Sequence, residues 1–153
     1  MLFLLFQLGG DRYAMEAAKI AAVLPLVVPK AIPQAPPAVV GAFDYRGTPV
    51  PLIDLSVLAV GRPSQPRRST RVLVVDYPVG AGETRWLGLI AEQALETVVR
   101  DPAQFVPSGV DNGGARYLGP LASDARGLLQ WVQVEHLLPD ALRDQLFTQA
   151  VAG

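Results

Sequence analysis

The chain has 153 residues, half of them hydrophobic, and a formal net charge of −1. That length suits one domain or two very small ones, with enough apolar residues for a sizeable core. The near balance of basic and acidic residues leaves no strong field to attract nucleic acid or an anionic membrane. Cysteine is absent, which excludes a disulfide framework and a cysteine-ligated metal.

The first six residues are apolar, but the pattern is not typical of a signal peptide. It has no basic n-region and no small-residue cleavage site, and the polar residues Gln7 and Asp11 follow soon after. No apolar run approaches the ~18 residues of a membrane span. We therefore expect a soluble, cytoplasmic protein.

Fourteen glycines and fourteen prolines disfavour long helices and, with many Val and Leu residues, predict short strands joined by tight turns. In chain order, strands are expected at 2–8, 13–15, 20–28 with an interruption at Pro25, 71–77, 85–91, 117–122 and 127–134, with a hairpin at 40–55. Residues 94–99 are expected either to continue the strand at 85–91 or to pair with it. A helical turn is expected at 56–59. The one longer helix is expected at 139–150, where apolar residues recur at helical spacing.

Residues 40–55 predict a hairpin whose polar turn is Asp44-Tyr45-Arg46-Gly47. Gly47 can adopt the positive φ that such a turn often requires. The following strand contains two prolines that cannot donate to a sheet, so it cannot pair fully on both sides. The pattern presents Arg46 at a stiff turn beside an incomplete edge, which is typical of a docking surface more than of a reaction centre.

The two halves of the chain echo one another. A strand, a glycine turn and a further strand region occur at 2–28 and again at 72–99, and turn glycines and arginines correspond. These corresponding positions are Gly41 with Gly119, and Arg46-Gly47 with Arg126-Gly127. The echo predicts two similar all-β units, roughly 1–65 and 66–138, with strands either kept within each unit or exchanged between them. Sheets this small usually hide their edges by closing into barrels.

Residues with catalytic or ligand chemistry are few. His136 is the only histidine, and we interpret it as a structural residue at a strand-to-helix junction rather than a base or a ligand. No serine lies in a nucleophile elbow, and no phosphate loop or dinucleotide fingerprint is present. Nothing in the spacing of the acidic residues favours a catalytic carboxylate pair, and Asp54 is expected to accept backbone N–H bonds. We therefore expect no enzyme activity, no metal and no cofactor.

Arg67, Arg68 and Arg71 form the only basic cluster of the sequence. The cluster could contact phosphate or an acidic partner. We favour a solvated loop, because no aromatic residue of the kind that stacks on bases is interleaved with the arginines.

Residues 41–55 resemble the signature of CheW-type chemotaxis coupling proteins. That signature is a glycine, two variable residues, asparagine, any residue, arginine and glycine, followed by apolar residues around a proline and an aspartate–leucine pair. Other segments are similar to the family in the same order along nearly the whole chain. They are residues 6–14, 70–75, 87–90, 117–119 and 134–138.

The resemblance implies an all-β fold of two small five-stranded SH3-like β-barrels, packed around a shared apolar seam, with a short C-terminal helix. Residues 1–153 would then form a single domain made of two subdomains. Members of the family are non-catalytic adaptors that couple methyl-accepting chemoreceptors to the regulatory domain of a CheA-type histidine kinase. They act in the cytoplasm at membrane-associated receptor arrays, and the receptor tip lies in a groove between the barrels.

Carried over by position, the resemblance implies that Arg46 docks the receptor, that Gly41 opens the signature and that Ile20 lies in the apolar groove. The full set of expected protein-binding residues is Ile20, Gly41, Phe43, Asp44, Tyr45 and Arg46.

Three departures from the family pattern indicate a divergent member. Asp44 stands where asparagine is common, which keeps an Asx turn available. Ala22 stands where an acidic residue often follows the groove, so an ion pair with the receptor is lost there. Residues 92–94 also differ from the usual aspartate-glycine-valine. An alternative chemosensory system, such as surface sensing or pilus-driven motility, would fit such a member.

Two rival functions stay open for a small β-barrel protein. One is binding of single-stranded nucleic acid, which would need charge and exposed aromatic residues that the sequence does not display. The other is a small-ligand pocket between the barrels, which would need convergent polar groups.

Overall fold

The computed structural model describes residues 1–111 and 113–148, and this part of the chain contains nine β-strands and two short α-helices. The strands are β1 (Leu2–Leu8), β2 (Asp11–Glu16), β3 (Ile20–Pro25), β4 (Val39–Tyr45), β5 (Thr48–Asp54), β6 (Arg71–Gly80), β7 (Glu83–Val99), β8 (Leu118–Asp124) and β9 (Gly127–Val132). The helices are α1 (Leu55–Val60) and α2 (Asp140–Leu146), and 3₁₀ turns lie at Ala17–Lys19, Pro102–Gln104 and Val134–His136.

The strands form two sheets that share β7. Sheet A has the order β7-β1-β2-β9-β8, and sheet B has the order β3-β6-β7-β5-β4. Most neighbours are antiparallel, but β2 pairs with β9 and β5 pairs with β7 in parallel. The predicted all-β fold with a short C-terminal helix is confirmed. Closure of each sheet into a barrel stays a prediction.

Sheet membership does not follow the order of the chain. Sheet B uses a continuous stretch from β3 to the first part of β7, whereas sheet A combines β1 and β2 with the last part of β7 and with β8 and β9. Strands from both sequence halves, 1–65 and 66–138, therefore enter each sheet.

β7 leaves sheet B and enters sheet A beside Gln93. β7 pairs with β6 as far as Ala91 and with β1 from Glu92 onward. The next residue, Gln93, has a φ of 52° although it is not glycine. The sequence predicts a strand at 85–91 and, at 94–99, either its continuation or a strand paired with it. The structure shows the continuation, a single 17-residue strand, because the backbone turns at Gln93 without ending its pairing.

The hydrophobic core has one shared part and two local parts. The shared cluster takes residues from both sheets, including Leu4 and Phe6 of β1 and Leu73 and Val75 of β6. Alternate residues of the same strands point the other way, into a cluster belonging to one sheet alone. Strands buried on both faces are apolar throughout, which explains the continuous apolar runs at 2–8 and 71–77. The expected apolar seam between the sheets is thus present.

The C-terminal helix is held to the core by Tyr77. The Tyr77 hydroxyl accepts a hydrogen bond from the backbone N–H of Leu138 at 2.9 Å, and its ring stacks on Phe147 at 6.1 Å between centroids. The helix, predicted at 139–150, covers Asp140–Leu146, and residues 149 and 150 lie outside the described part of the chain. β3 ends at Pro25, the residue at which the interruption of the 20–28 strand was predicted.

Candidate protein-binding surface

The turn between β4 and β5 has the geometry of a tight hairpin. Tyr45 pairs with Thr48, so Arg46 and Gly47 alone form the loop. Their φ angles are 51° and 81°, the two positive values that define a type I′ turn. The Asp44 carboxylate accepts a hydrogen bond from the Gly47 N–H at 2.8 Å and braces the turn. The Asx interaction that Asp44 was expected to keep is therefore formed.

Arg46 is exposed at the tip of this turn in an unfavourable backbone conformation. A left-handed conformation costs a residue with a Cβ roughly 1–2 kcal/mol. Among the described residues, the Arg46 side chain makes no hydrogen bond or ion pair, and its guanidinium carbon lies 5.5 Å from the centroid of the Tyr45 ring. The fold thus holds an arginine in a strained position without using its donors.

An aromatic pair supports the turn from below. The Tyr45 ring is buried and meets Trp86 of β7 edge to face, with centroids 4.7 Å apart. The guanidinium of Arg46 therefore rests on Tyr45, and Tyr45 rests on Trp86. The sequence pattern did not single out Trp86 as a site residue, because it lies forty positions from the hairpin and only strand pairing brings it near.

Two other predicted site residues, Gly41 and Phe43, are buried in sheet B. A Cβ added to Gly41 would lie 2.2 Å from the carbonyl oxygen of Lys30, and the φ of Gly41 is 148°. Ala42 exchanges two backbone hydrogen bonds with Lys30, which holds the two segments at this distance. Phe43 packs over Gly88, where an added Cβ would come within 2.7 Å of the Phe43 ring. In the structure, both residues shape the scaffold behind the turn.

Ile20, the remaining predicted site residue, lies on a different strand from the other five. It begins β3, pairs with Val75 of β6 and is half-buried against the shared cluster. β3 and β4 stand at the two ends of the strand order of sheet B. Ala22 follows Ile20 on β3 and packs against the cluster that contains Phe43. The structure thus gathers the residues from 41 to 46 on one hairpin and places Ile20 on a separate strand.

The equivalent turn of sheet A differs from the Arg46 turn. Asp124 pairs with Gly127, so Arg126 is the second loop residue rather than the first, and its φ is not positive. Arg126 also forms an ion pair with Glu96 at 3.5 Å. The arginines that correspond in the sequence echo therefore have different backbone conformations and different partners.

Asp124 forms the most strongly perturbed ionic cluster of the described residues. It accepts two hydrogen bonds from the Arg12 guanidinium at 2.8 and 2.9 Å, one from Arg100 at 2.8 Å and one from the Arg126 N–H at 2.8 Å. The Arg12 hydrogen bond, followed by that of the Arg126 N–H, holds the pKa of Asp124 well below its usual range. Every one of these groups has a partner within the fold, so we interpret the cluster as structural.

Asp54 and His136 have structural surroundings. Asp54 is buried, caps α1 by accepting from the Ser56 N–H at 3.0 Å, and also accepts from the Ser64 N–H and hydroxyl. This confirms its expected role. His136 is half-buried at the end of the last 3₁₀ turn. No group of three or more metal-ligating side chains occurs in residues 1–111 and 113–148. None of the helices within that part has the length and hydropathy of a transmembrane span.

Comparison with known proteins identifies the class to which this two-sheet β scaffold with its turn arginine belongs. The chain matches the CheW-like domain family over residues 2–142. Its fold is similar to the crystal structure of the scaffolding protein TtCheW from Thermoanaerobacter tengcongensis, with a TM-score of 0.77 and 19% identity, covering 90% of this chain and 87% of that one. No curated protein matches it.

The chain therefore belongs to the CheW-like domain family. This is a family of non-catalytic adaptors in chemotaxis signalling, and the class of the protein is accordingly a signal-transduction scaffold. The resemblance on residues 41–55 is confirmed at the level of the family.

Proposed function

We propose that this protein couples methyl-accepting chemoreceptors to a CheA-type histidine kinase in the cytoplasm, at membrane-associated receptor arrays. In this role the two sheets fix the relative placement of a receptor tip and a kinase regulatory domain, and no bond of either partner is made or broken. Family membership supports the kind of partner.

The observation that carries the proposal is the strained Arg46, whose guanidinium donors have no hydrogen-bond or ion-pair partner in the part of the chain that the structure describes. Backbone strain in a folded protein concentrates at functional sites, where the surrounding structure maintains it. An asparagine at this turn position would adopt the same φ more easily. The fold instead places there a rigid, planar group with five donors, which suits an interface. We assign Arg46 to receptor docking, with Asp44 and Tyr45 fixing its direction.

Gly41, Phe43 and Ile20 have supporting parts in this proposal. Gly41 and Phe43 are buried, so they act by holding the hairpin in place. Ile20 offers a half-buried apolar side chain on a separate strand, where it would contribute apolar contact to a groove. Each interface is expected to be small and weak, and many copies in an array would supply the overall stability.

Co-sedimentation with receptor cytoplasmic fragments and a kinase regulatory domain tests the proposal. We expect Arg46→Glu to reduce the bound fraction with an affinity loss of about tenfold or more, as for an interface hot spot. Arg126→Glu is the matched control, because it makes the same charge change at the corresponding turn of sheet A. Circular dichroism should show both variants folded. An Arg46→Glu variant that unfolds, or a control that loses as much binding, would show that Arg46 has no docking role.

Binding of single-stranded nucleic acid receives no support from the surface. Such proteins stack bases on exposed aromatic side chains. In this chain every Phe, Tyr and Trp side chain is buried or half-buried.

A further inference from the structure

Four arginines lie in the loop between α1 and β6 or at the start of β6. Residues 55–75 contain four arginines and no acidic residue. Elsewhere in the described chain, five arginines form ion pairs with carboxylates. Within residues 1–111 and 113–148, none of the four arginines of this segment forms one. They are Arg62, Arg67, Arg68 and Arg71.

Backbone and side-chain hydrogen bonds fix the conformation of this loop. Ser64 donates its N–H and its hydroxyl to the buried Asp54, at 2.9 and 2.6 Å. The Thr70 hydroxyl donates to the Gln65 carbonyl, and the Ser69 carbonyl accepts from the Ala94 N–H of β7 at 3.0 Å. The loop is therefore hydrogen-bonded to the end of β5 through Asp54 and to β7 through Ala94. The backbone that carries its arginines thus has a defined conformation.

Three of these arginines, Arg67, Arg68 and Arg71, line a cavity of about 470 Å³. Its apolar wall consists of Pro25, Leu26 and Pro66, and its basic wall includes Arg67 and Arg68. Pockets of a few hundred Å³ with apolar walls and a few polar groups are the usual size for binding side chains or small ligands.

Arg71 completes the basic wall and carries an unsatisfied donor. The residue is half-buried, and its Nε atom is buried with no hydrogen-bond partner among the described residues. A buried donor without a partner is unfavourable and calls for an explanation. An anion placed against this guanidinium would neutralise a charge that the protein itself leaves uncompensated.

We propose that this cavity, formed by the 61–71 loop and the end of β3, binds an acidic peptide segment of a partner protein. Arginine forks match carboxylates in a bidentate geometry, and the proline and leucine wall suits the apolar side chains between them. Nucleic acid fits less well, because no aromatic side chain lines the cavity and the whole chain has a net charge of −1. A membrane surface fits less well because the site is concave. The inference is independent of the receptor–kinase role.

Fluorescence anisotropy with a labelled decapeptide of glutamate and leucine tests this site on the full chain. The matched probe replaces each glutamate with glutamine. We expect saturable binding of the acidic peptide only, and an affinity loss of about tenfold in the double variant Arg67→Glu, Arg68→Glu, since close charge pairs are replaced by repulsion. The control is the double variant Arg116→Glu, Arg126→Glu, which changes the net charge equally away from the cavity and should lose less than about threefold at physiological salt.

Two further probes distinguish the sources of negative charge. Phosphatidylserine vesicles and a single-stranded oligonucleotide are measured with the same variants. The proposal is overturned if the folded wild-type chain does not bind the acidic peptide, if the glutamine peptide binds equally, or if the control variant loses as much affinity. It is also overturned if vesicles or the oligonucleotide depend on Arg67 and Arg68 while the peptide does not.

Discussion

Tyr45 and Trp86 form an edge-to-face pair, at 4.7 Å between centroids and 81° between planes, directly beneath the arginine of the β4–β5 turn. Pairs of this geometry contribute roughly 0.5–1.5 kcal/mol beyond the apolar area they bury. The pair joins the turn to β7, the strand shared by both sheets. The direction in which Arg46 points is thereby coupled to the part of the scaffold that joins the two sheets.

Replacing Arg46 by asparagine should raise the stability of the fold while it weakens receptor binding. Asparagine accepts the left-handed conformation at this turn position more readily than arginine. We expect Arg46→Asn to raise the free energy of unfolding by about 0.5–1 kcal/mol, measured by urea denaturation. The same variant should lose receptor binding in the co-sedimentation experiment. A variant that loses both stability and binding would assign Arg46 to the fold.

Gly41 and Gly47 should respond very differently to alanine. At Gly41 the new Cβ would meet the Lys30 carbonyl, so we expect Gly41→Ala to cost about 3 kcal/mol of unfolding free energy through forced backbone displacement. At Gly47 nothing lies within 4 Å, and only the positive φ is unfavourable. We expect Gly47→Ala to cost about 1 kcal/mol. Equal costs in urea denaturation would mean that the Lys30 contact does not constrain the hairpin.

Asp124 should make the free energy of unfolding depend on pH in the acidic range. Its pKa is depressed in the folded state, so its stabilising contribution is complete above the unfolded pKa of about 4 and is lost as the pH falls through the folded pKa. Asp124→Asn removes the charged acceptor of Arg12 and Arg100, and we expect a loss of about 2 kcal/mol at pH 7. The gap between wild type and variant should narrow below about pH 4.

Urea denaturation at several pH values measures this gap. Asp144→Asn is a suitable control, because Asp144 is an exposed residue of α2 whose ion pair with Arg143 lies within one short helix. A gap for Asp124→Asn that stays constant from pH 7 to pH 3 would contradict the depressed pKa.

The sequence predicted local features of the fold well where neighbouring residues determine them. The β4–β5 hairpin follows from its turn residues and its apolar flanks, and the capping role of Asp54 follows from its place between strand and helix. The apolar runs at 2–8 and 71–77 indicated the strands β1 and β6. In each case the signal lies within about ten residues.

The pairing of strands could not be predicted in the same way. The echo between 2–28 and 72–99 indicates repeated units, but two similar copies give no preference for pairing within a copy or across copies. The continuity of β7 depends on the unusual φ of Gln93, and glutamine is not a residue type that indicates such a conformation in the sequence. The Arg12–Asp124 ion pair joins positions 112 residues apart and carries no local signature.

The candidate site was predicted in part for the same reason. The turn that presents Arg46 is local and was recognised, together with Asp44 and Tyr45. Trp86 and the cavity beside Arg67 and Arg68 depend on contacts between distant segments. The resemblance to the family identified the hairpin arginine, whereas only the three-dimensional arrangement shows which side chains support it.

The strands of sheet A lie before and after those of sheet B in the sequence, and this order has a consequence for biosynthesis. Sheet B draws on consecutive strands and can pair once Ala91 has left the ribosome, because its contacts close within that stretch. β1 and β2 are translated before the strands of sheet B, yet their neighbours in sheet A, the last part of β7 and β9, are translated after them. The β1–β2 hairpin therefore lacks its final partners until sheet B has been translated, and its exposed apolar side chains and unpaired edges are of the kind that promotes aggregation.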